Sequence, residues 1–225
     1  MLNGKRVTGA NIGADIDPAM PEPVIYVVED EEINREFLTD LFASVDLKVR
    51  SFASGDEFLE AMPIQAPGCI LLDVRMPGIS GLDLQAQLAE EDLSIPTIIV
   101  TAHGDTQMAV RAMKSGAFDF VEKPINTQML LEIVYKALAE SERLSRDKVF
   151  KDSIRKRLEL LTPRERDVLD MITDGKLNKQ IAYELGITQR TVEVHRARVM
   201  EKMQAKTAAD LLRTVLSVEP YSGKP

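Results

Sequence analysis

Reactive polar side chains follow four apolar runs of the sequence, at the point where each run ends. They are Glu29 with Asp30, then Asp73, Thr101 and Lys123. Carboxylate oxygens suit a hard cation such as Mg²⁺, which takes one or two carboxylates and keeps several waters. A carboxylate beside that cation can attack a phosphoryl group to form an aspartyl-phosphate, while an ammonium neutralises phosphate oxygens. With a hydroxyl from Thr101, the set contains the groups that Asp-based phosphoryl transfer requires.

The apolar runs are predicted to be strands buried on both faces, because they are β-branched and continuous rather than alternating. They cover 24–28, 69–72, 97–100 and 118–121, with a weaker strand over 48–52. A helix follows each strand, and the last helix begins near Thr127. This alternation implies right-handed crossovers, so we predict an α/β doubly wound, flavodoxin-like fold with a five-stranded parallel sheet. Ligands bind beyond the carboxyl ends of such strands, where the reactive side chains lie.

Composition argues against several other classes of protein. The 225 residues include one cysteine and two histidines, too few for a disulfide framework or a cysteine-rich zinc site. No run approaches the ~18 consecutive apolar residues of a membrane span, and the N-terminus lacks the apolar core of a secretory signal. We therefore expect a cytoplasmic protein with no membrane partner.

Charge divides the chain into two halves. Residues 1–140 carry 10 Lys and Arg against 23 Asp and Glu, whereas residues 141–225 carry 18 against 13. An acidic half joined to a basic half indicates two domains with different partners, the basic one suited to phosphate backbones. The predicted organisation is a flexible tail over 1–22, an α/β domain over 23–140, a helical linker over 141–158, an all-α domain over 159–219 and a C-terminal tail over 220–225.

The basic half has the pattern of a helical bundle. A capping box at Thr162 and Glu165, with Pro163 between them, predicts a helix start, and further helices are expected over about 178–185, 188–203 and 207–217. In the 188–203 helix, Val192, Val199 and Met203 share one narrow face that suits a core. The opposite face and its edge carry Arg190, Glu193, Val194, Ala197, Arg198 and Glu201.

That opposite face suits contact with DNA. The small side chains of Val194 and Ala197, flanked by arginines, would let the helix approach base edges in the major groove. Phosphate contacts are predicted for Lys179, Thr188, Thr191, His195 and Lys202, with Thr188 also capping the helix. An alternative interpretation is that each arginine simply lies on a solvated helix face. His195 could likewise pack at the helix edge in place of contacting phosphate.

Four motifs of the acidic half resemble the receiver domain of bacterial two-component response regulators. They are VVEDEE at 27–32, LLDVRMPGISGLDL at 71–84, IIVTAHGD at 98–105 and FDFVEKP at 118–124. The resemblance implies that Asp73 is the phosphoacceptor and that Lys123 contacts the phosphoryl group, with a cis bond to Pro124. It implies that Mg²⁺ is held by Glu29, Asp30, Asp73 and the backbone carbonyl of Arg75. It also implies that Thr101, Ala102 and Phe120 act as switch residues, which change position when Asp73 is phosphorylated. The face over 106–138 then rearranges and mediates dimerisation.

Residue Glu29 departs from that family's pattern, which commonly has an aspartate at this position. A longer carboxylate can still hold a metal-bound water, so we expect Mg²⁺ binding to survive, with lower affinity. An alternative is therefore a phosphorylation-independent regulator whose receiver is a constitutive dimer. A Mg²⁺-dependent phosphohydrolase is a further alternative, but Arg75 stands two residues after Asp73, where a general acid would be needed.

Residues 161–212 resemble the LuxR-type four-helix DNA-binding domain, with the recognition helix at 188–203. A receiver joined to this domain resembles the FixJ-like branch of the FixJ/NarL response regulators. The resemblance implies a transcription regulator rather than an enzyme, phosphorylated at Asp73 by a histidine kinase. Its implied partners are promoter double-stranded DNA, the transcription machinery and a second copy of the chain, and it favours activation of transcription.

Overall fold

The computed structural model describes residues 21–62, 67–90, 95–102 and 106–218. The chain divides into two compact units, and the boundary falls between Leu144 and Ser145. The predicted tails lie outside the described residues, apart from positions 21 and 22. Among the helices of the described ranges, none is long and apolar enough to cross a membrane.

The first unit alternates strands and helices, as the sequence predicts. In chain order its elements are β1 (Val24–Val28), α1 (Glu32–Ala43), β2 (Lys48–Phe52), α2 (Gly55–Glu60), β3 (Gly68–Asp73), α3 (Gly81–Glu90), β4 (Thr97–Thr101), α4 (Thr106–Lys114), β5 (Asp119–Glu122) and α5 (Thr127–Glu159). The strands form one parallel sheet in the order β2-β1-β3-β4-β5. The predicted flavodoxin-like fold is therefore confirmed.

The central strands of the sheet are covered on both faces, because successive side chains of a strand point to opposite sides. On one face, Ile25 and Leu71 pack with Phe42 of α1 and Val134 of α5. On the other face, the next residues along β1 and β3 pack against α2, α3 and α4. Cys69 on β3 is fully buried in the first of these clusters, and burial raises the pKa of its thiol to about 12.

Helix α5 is a single helix of 33 residues that reaches into both units. In the first unit, Ser141 is buried and its hydroxyl accepts a hydrogen bond from the Gly68 amide at the start of β3. In the second unit, Ile154 and Leu158 lie in the core. The core of the second unit therefore includes residues that the sequence assigned to the linker over 141–158.

The second unit continues with α6 (Pro163–Thr173), α7 (Asn178–Leu185), α8 (Gln189–Lys202) and α9 (Ala208–Leu216). The capping box of Thr162 and Glu165 is formed at the start of α6, as the sequence predicts. Val192 and Val199 of α8, with Met203 directly after it, are buried with residues of the other helices, which confirms the predicted core face. The opposite face of α8 is left toward solvent.

Candidate functional site

Three carboxylates meet at the carboxyl end of the sheet. The strands pair so that Val28 lies beside Leu72, and Asp73 beside Val100, which aligns the ends of β1, β3 and β4. Each of Glu29, Asp30 and Asp73 offers an oxygen, and these oxygens all lie within 4.8 Å of one another. Three hard anionic oxygens at this separation fit Mg²⁺ in the chemistry of the donor set.

The ammonium of Lys123 joins two of these carboxylates. Its Nζ lies 3.1 and 2.9 Å from the two oxygens of Glu29 and 3.1 Å from Oδ1 of Asp73. Burial opposes the charge of Lys123, but the hydrogen bond with Glu29 and the charge of Asp73 outweigh it, so the pKa of Lys123 is raised. Burial also raises the pKa of Glu29, against the effect of the Lys123 hydrogen bond. The Lys123–Pro124 peptide is cis.

The main chain around Asp73 is tightly packed. Oδ2 of Asp73 accepts a hydrogen bond from the Arg75 amide at 2.8 Å, so both oxygens of this carboxylate have a donor. Gly81, the first residue of α3, lies against the same backbone, because a Cβ there would stand 2.1 Å from the Asp73 carbonyl oxygen. Asp73 is therefore fixed by its own loop and by the start of α3. The carbonyl of Arg75 remains a predicted ligand.

The predicted switch residues differ in their burial. Thr101 is buried at the end of β4, and its carbonyl accepts a hydrogen bond from the Lys123 amide at 2.8 Å. Ala102, the next residue, is exposed. Phe120 on β5 is half-buried and packs against the cluster on the α3 and α4 side of the sheet.

Two residues of α1 that the sequence did not predict, Asn34 and Arg35, also contact the site. Nη1 of Arg35 lies 2.8 Å from the carbonyl oxygen of Glu29 and 3.2 Å from that of Asp30. Nδ2 of Asn34 donates to Oε1 of Glu29 at 3.2 Å and to Oε2 of Glu31 at 2.7 Å. The only sequence signal is that both stand within one helical turn after the acidic run.

Most of the predicted DNA-binding residues of the second unit are exposed. Arg190, Glu193, Val194, Ala197 and Arg198 of α8 are exposed, opposite its core face. Outside that helix, the predicted phosphate contact Lys179 is also exposed. An exposed apolar residue between charged neighbours suits contact with base edges.

The start of α8 is capped as predicted. The Thr188 hydroxyl accepts a hydrogen bond from the Thr191 amide at 3.2 Å, and the two hydroxyl oxygens lie 2.8 Å apart. His195 is half-buried, and its Nδ1 is buried without a hydrogen-bond partner. This placement agrees with packing at the helix edge.

Lys202, which the sequence predicts as a phosphate contact, has partners within the protein. Its Nζ lies 2.6 Å from Oε2 of Glu165 and 3.0 Å from the carbonyl oxygen of Leu160. Hydrogen bonds from Lys202 and from the Thr162 amide lower the pKa of Glu165 to about 2. Lys202 therefore joins the end of α8 to the start of α6.

Comparison with known families accounts for both units. The family described as response regulator receiver domain matches residues 25–135, and the LuxR family of bacterial regulatory proteins matches residues 159–215. Nodulation protein W of Bradyrhizobium diazoefficiens is 42% identical over 87% of this chain and 86% of its own length. FixJ of Azorhizobium caulinodans is 42% identical over 88% of this chain and 94% of its own length. The chain belongs to the LuxR-type response regulators.

A solved structure agrees with this assignment over most of the chain. The solved structure of the response regulator StyR is 39% identical in sequence to this chain. The two superpose with a TM-score of 0.77 over 87% of this chain and 99% of the StyR chain. This response regulator is therefore a transcription regulator of a two-component system and not an enzyme. Its receiver domain implies a histidine kinase as partner, and its LuxR-type domain implies DNA.

Proposed function

We propose that this response regulator accepts a phosphoryl group on Asp73, and that phosphorylation drives receiver dimerisation and sequence-specific binding to promoter DNA. The observation that carries the proposal is the meeting of Asp73 with Lys123 and two further carboxylates at one end of the sheet. A DNA-binding regulator of this kind works in the cytoplasm, together with the transcription machinery.

The chemistry starts at the Asp73 carboxylate. One of its oxygens forms a bond to phosphorus while the bond from phosphorus to the kinase's histidine nitrogen breaks, and the imidazole leaves with the electron pair. Mg²⁺, held by Glu29, Asp30, Asp73 and the Arg75 carbonyl, would offset the negative charge of the phosphoryl oxygens. Lys123 lies 3.1 Å from Asp73 and would neutralise a phosphoryl oxygen on the same side. The Arg75 amide holds the nucleophile in place.

Phosphorylation would redistribute the contacts of Lys123 and Thr101. We propose that Thr101, Ala102 and Phe120 then change position together and shift a two-state receiver toward its active conformer. Exposed apolar side chains on α4 and α5 support dimerisation at the face over 106–138. They are Val110, Met113 and Tyr135.

A receiver dimer would bring two recognition helices to two half-sites of the promoter, so that affinity rises through avidity. Val194 and Ala197 would approach base edges, with Arg190, Arg198 and Glu193 beside them. Lys179, Thr191 and the helix start at Thr188 would contact phosphates and set the register. The expected outcome at the promoter is activation of transcription.

Intact-mass measurement after incubation with acetyl phosphate and Mg²⁺ tests the proposal, with sedimentation of the same samples. We expect the wild type to gain one phosphoryl group and to shift from monomer to dimer, and Asp73→Asn to do neither. Asp83→Asn, an exposed carboxylate on α3, is the matched control and should behave as wild type. An unmodified, permanently dimeric wild type that binds DNA would instead support a phosphorylation-independent regulator.

A further inference from the structure

Arg35 contacts the main chain of the acidic site, and its guanidinium offers a cation no oxygen ligand. We propose that Arg35 is a positioning residue for Mg²⁺: it fixes the turn between β1 and α1, so that Glu29 and Asp30 present their carboxylates toward Asp73. The inference rests on the proposed function, because it takes these three carboxylates as the cation site.

The main-chain contacts of the turn carry the argument. The Glu29 amide donates a hydrogen bond to the Phe52 carbonyl of β2, so the Glu29 nitrogen is fixed by the sheet. The carbonyls of Glu29 and Asp30 lie beyond the last residue of β1, and both accept from Nη1 of Arg35. The Arg35 amide then donates to the Glu31 carbonyl at 2.9 Å. One residue therefore provides donors to three successive carbonyls of the turn.

The neighbouring side chain of Asn34 completes this contact. Its amide donates to the Glu29 carboxylate, which the Lys123 ammonium also contacts. The first turn of α1 therefore holds both the backbone and the carboxylate of Glu29. A planar guanidinium suits this task, because its donors have fixed directions that an ammonium lacks.

Charge and position predict opposite results when Arg35 is replaced. A guanidinium beside a cation site repels the cation, so removal of the charge alone would strengthen Mg²⁺ binding. Loss of the hydrogen bonds to the turn would weaken it, because groups that orient metal ligands typically change metal affinity by about tenfold or more. We expect the loss of position to prevail.

Calorimetric titration of the full chain with MgCl₂ tests the inference on wild type, Arg35→Met and Arg35→Lys. We expect about tenfold weaker binding for Arg35→Met and at least about twofold weaker binding for Arg35→Lys, which keeps the charge but loses the fixed geometry. Arg50→Met removes an exposed charge from β2 and should leave the affinity unchanged. The Mg²⁺-induced rise in melting temperature should be largest for the wild type, smaller for Arg35→Lys and smallest for Arg35→Met. If Arg35 only stabilised the fold, its replacement would lower the melting temperature without Mg²⁺ and leave the Mg²⁺-induced rise unchanged.

Each outcome separates the inference from the proposed function. A wild type that does not bind Mg²⁺ contradicts the cation site itself. A wild type that binds, with equal or tighter binding by Arg35→Met, overturns the role of Arg35 and leaves the site intact. Should Arg35→Met fail to fold, Arg35→Lys decides, and an unchanged affinity in that variant refutes the inference.

Discussion

The last turns of α5 determine where the DNA-binding unit begins. Ile154 is 0% exposed and Leu158 is 7% exposed in the core of the second unit. Burial of an aliphatic side chain contributes about 1.5–3 kcal/mol, so the pair contributes about 3–6 kcal/mol. The unit over 145–218, which contains both side chains, has about 74 residues and a total stability of roughly 4–11 kcal/mol at about 0.05–0.15 kcal/mol per residue. A fragment over 159–218 should therefore be marginal or unfolded, whereas a fragment over 145–218 should fold.

Urea denaturation followed by far-ultraviolet circular dichroism measures this difference on the two fragments. Within the longer fragment, Ile154→Ala should lower the free energy of unfolding by about 2–5 kcal/mol, because it leaves a cavity in the core. Val149→Ala is the matched control on the same helix, since Val149 is 65% exposed and its loss should cost less than about 0.5 kcal/mol. Equal stability of the two fragments, or an Ile154→Ala variant as stable as Val149→Ala, would refute the reasoning.

Further predictions concern the ion pair of the second unit, DNA binding and the switch. The pKa of Glu165 lies below its unfolded value of 4.5, so its stabilisation is complete above about pH 4.5 and is lost as pH falls toward 2. Glu165→Gln should remove this part of the acid sensitivity, measured by urea unfolding at pH 5 and pH 3, and an unchanged pH profile would contradict it. Arg198→Ala should weaken promoter binding at moderate salt, as measured by fluorescence anisotropy. Arg155→Ala, which changes an exposed residue of α5, should leave the affinity unchanged. Equal effects of the two substitutions would show that Arg198 does not contact DNA. Thr101→Ala should keep phosphorylation by intact mass but lose dimerisation by sedimentation, and normal phosphate-driven dimerisation would exclude its switch role.

The sheet and the reactive side chains at its end could be predicted because their signals are local. A continuous β-branched run indicates a strand buried on both faces, and parallel strands bring their last residues to one edge. Asp73, Asp30 and Lys123 could therefore be assigned to one site before any contact was known. The capping box of Thr162 and the core face of α8 were predictable for the same reason.

The remaining contacts join residues that are distant in sequence or carry no pattern. Lys202 resembles any exposed lysine on a recognition helix, and its partner Glu165 stands 37 positions away. Ile154 and Leu158 share a helix face, but that spacing does not tell which core the face meets. Arg35 binds main-chain carbonyls, which are identical at every position, so no pairing of residue types indicates the contact.

The single cysteine of the chain makes one more property of the receiver measurable. Cys69 lies fully buried on the central strand β3, four residues before Asp73, and its thiol has a pKa of about 12. A buried neutral thiol reacts with alkylating reagents only when the strand opens. The rate of alkylation in native buffer therefore reports opening of the receiver alone, without a contribution from the helical unit. Cys69 is thus a native probe for the opening of β3, the strand that ends at the predicted phosphoacceptor.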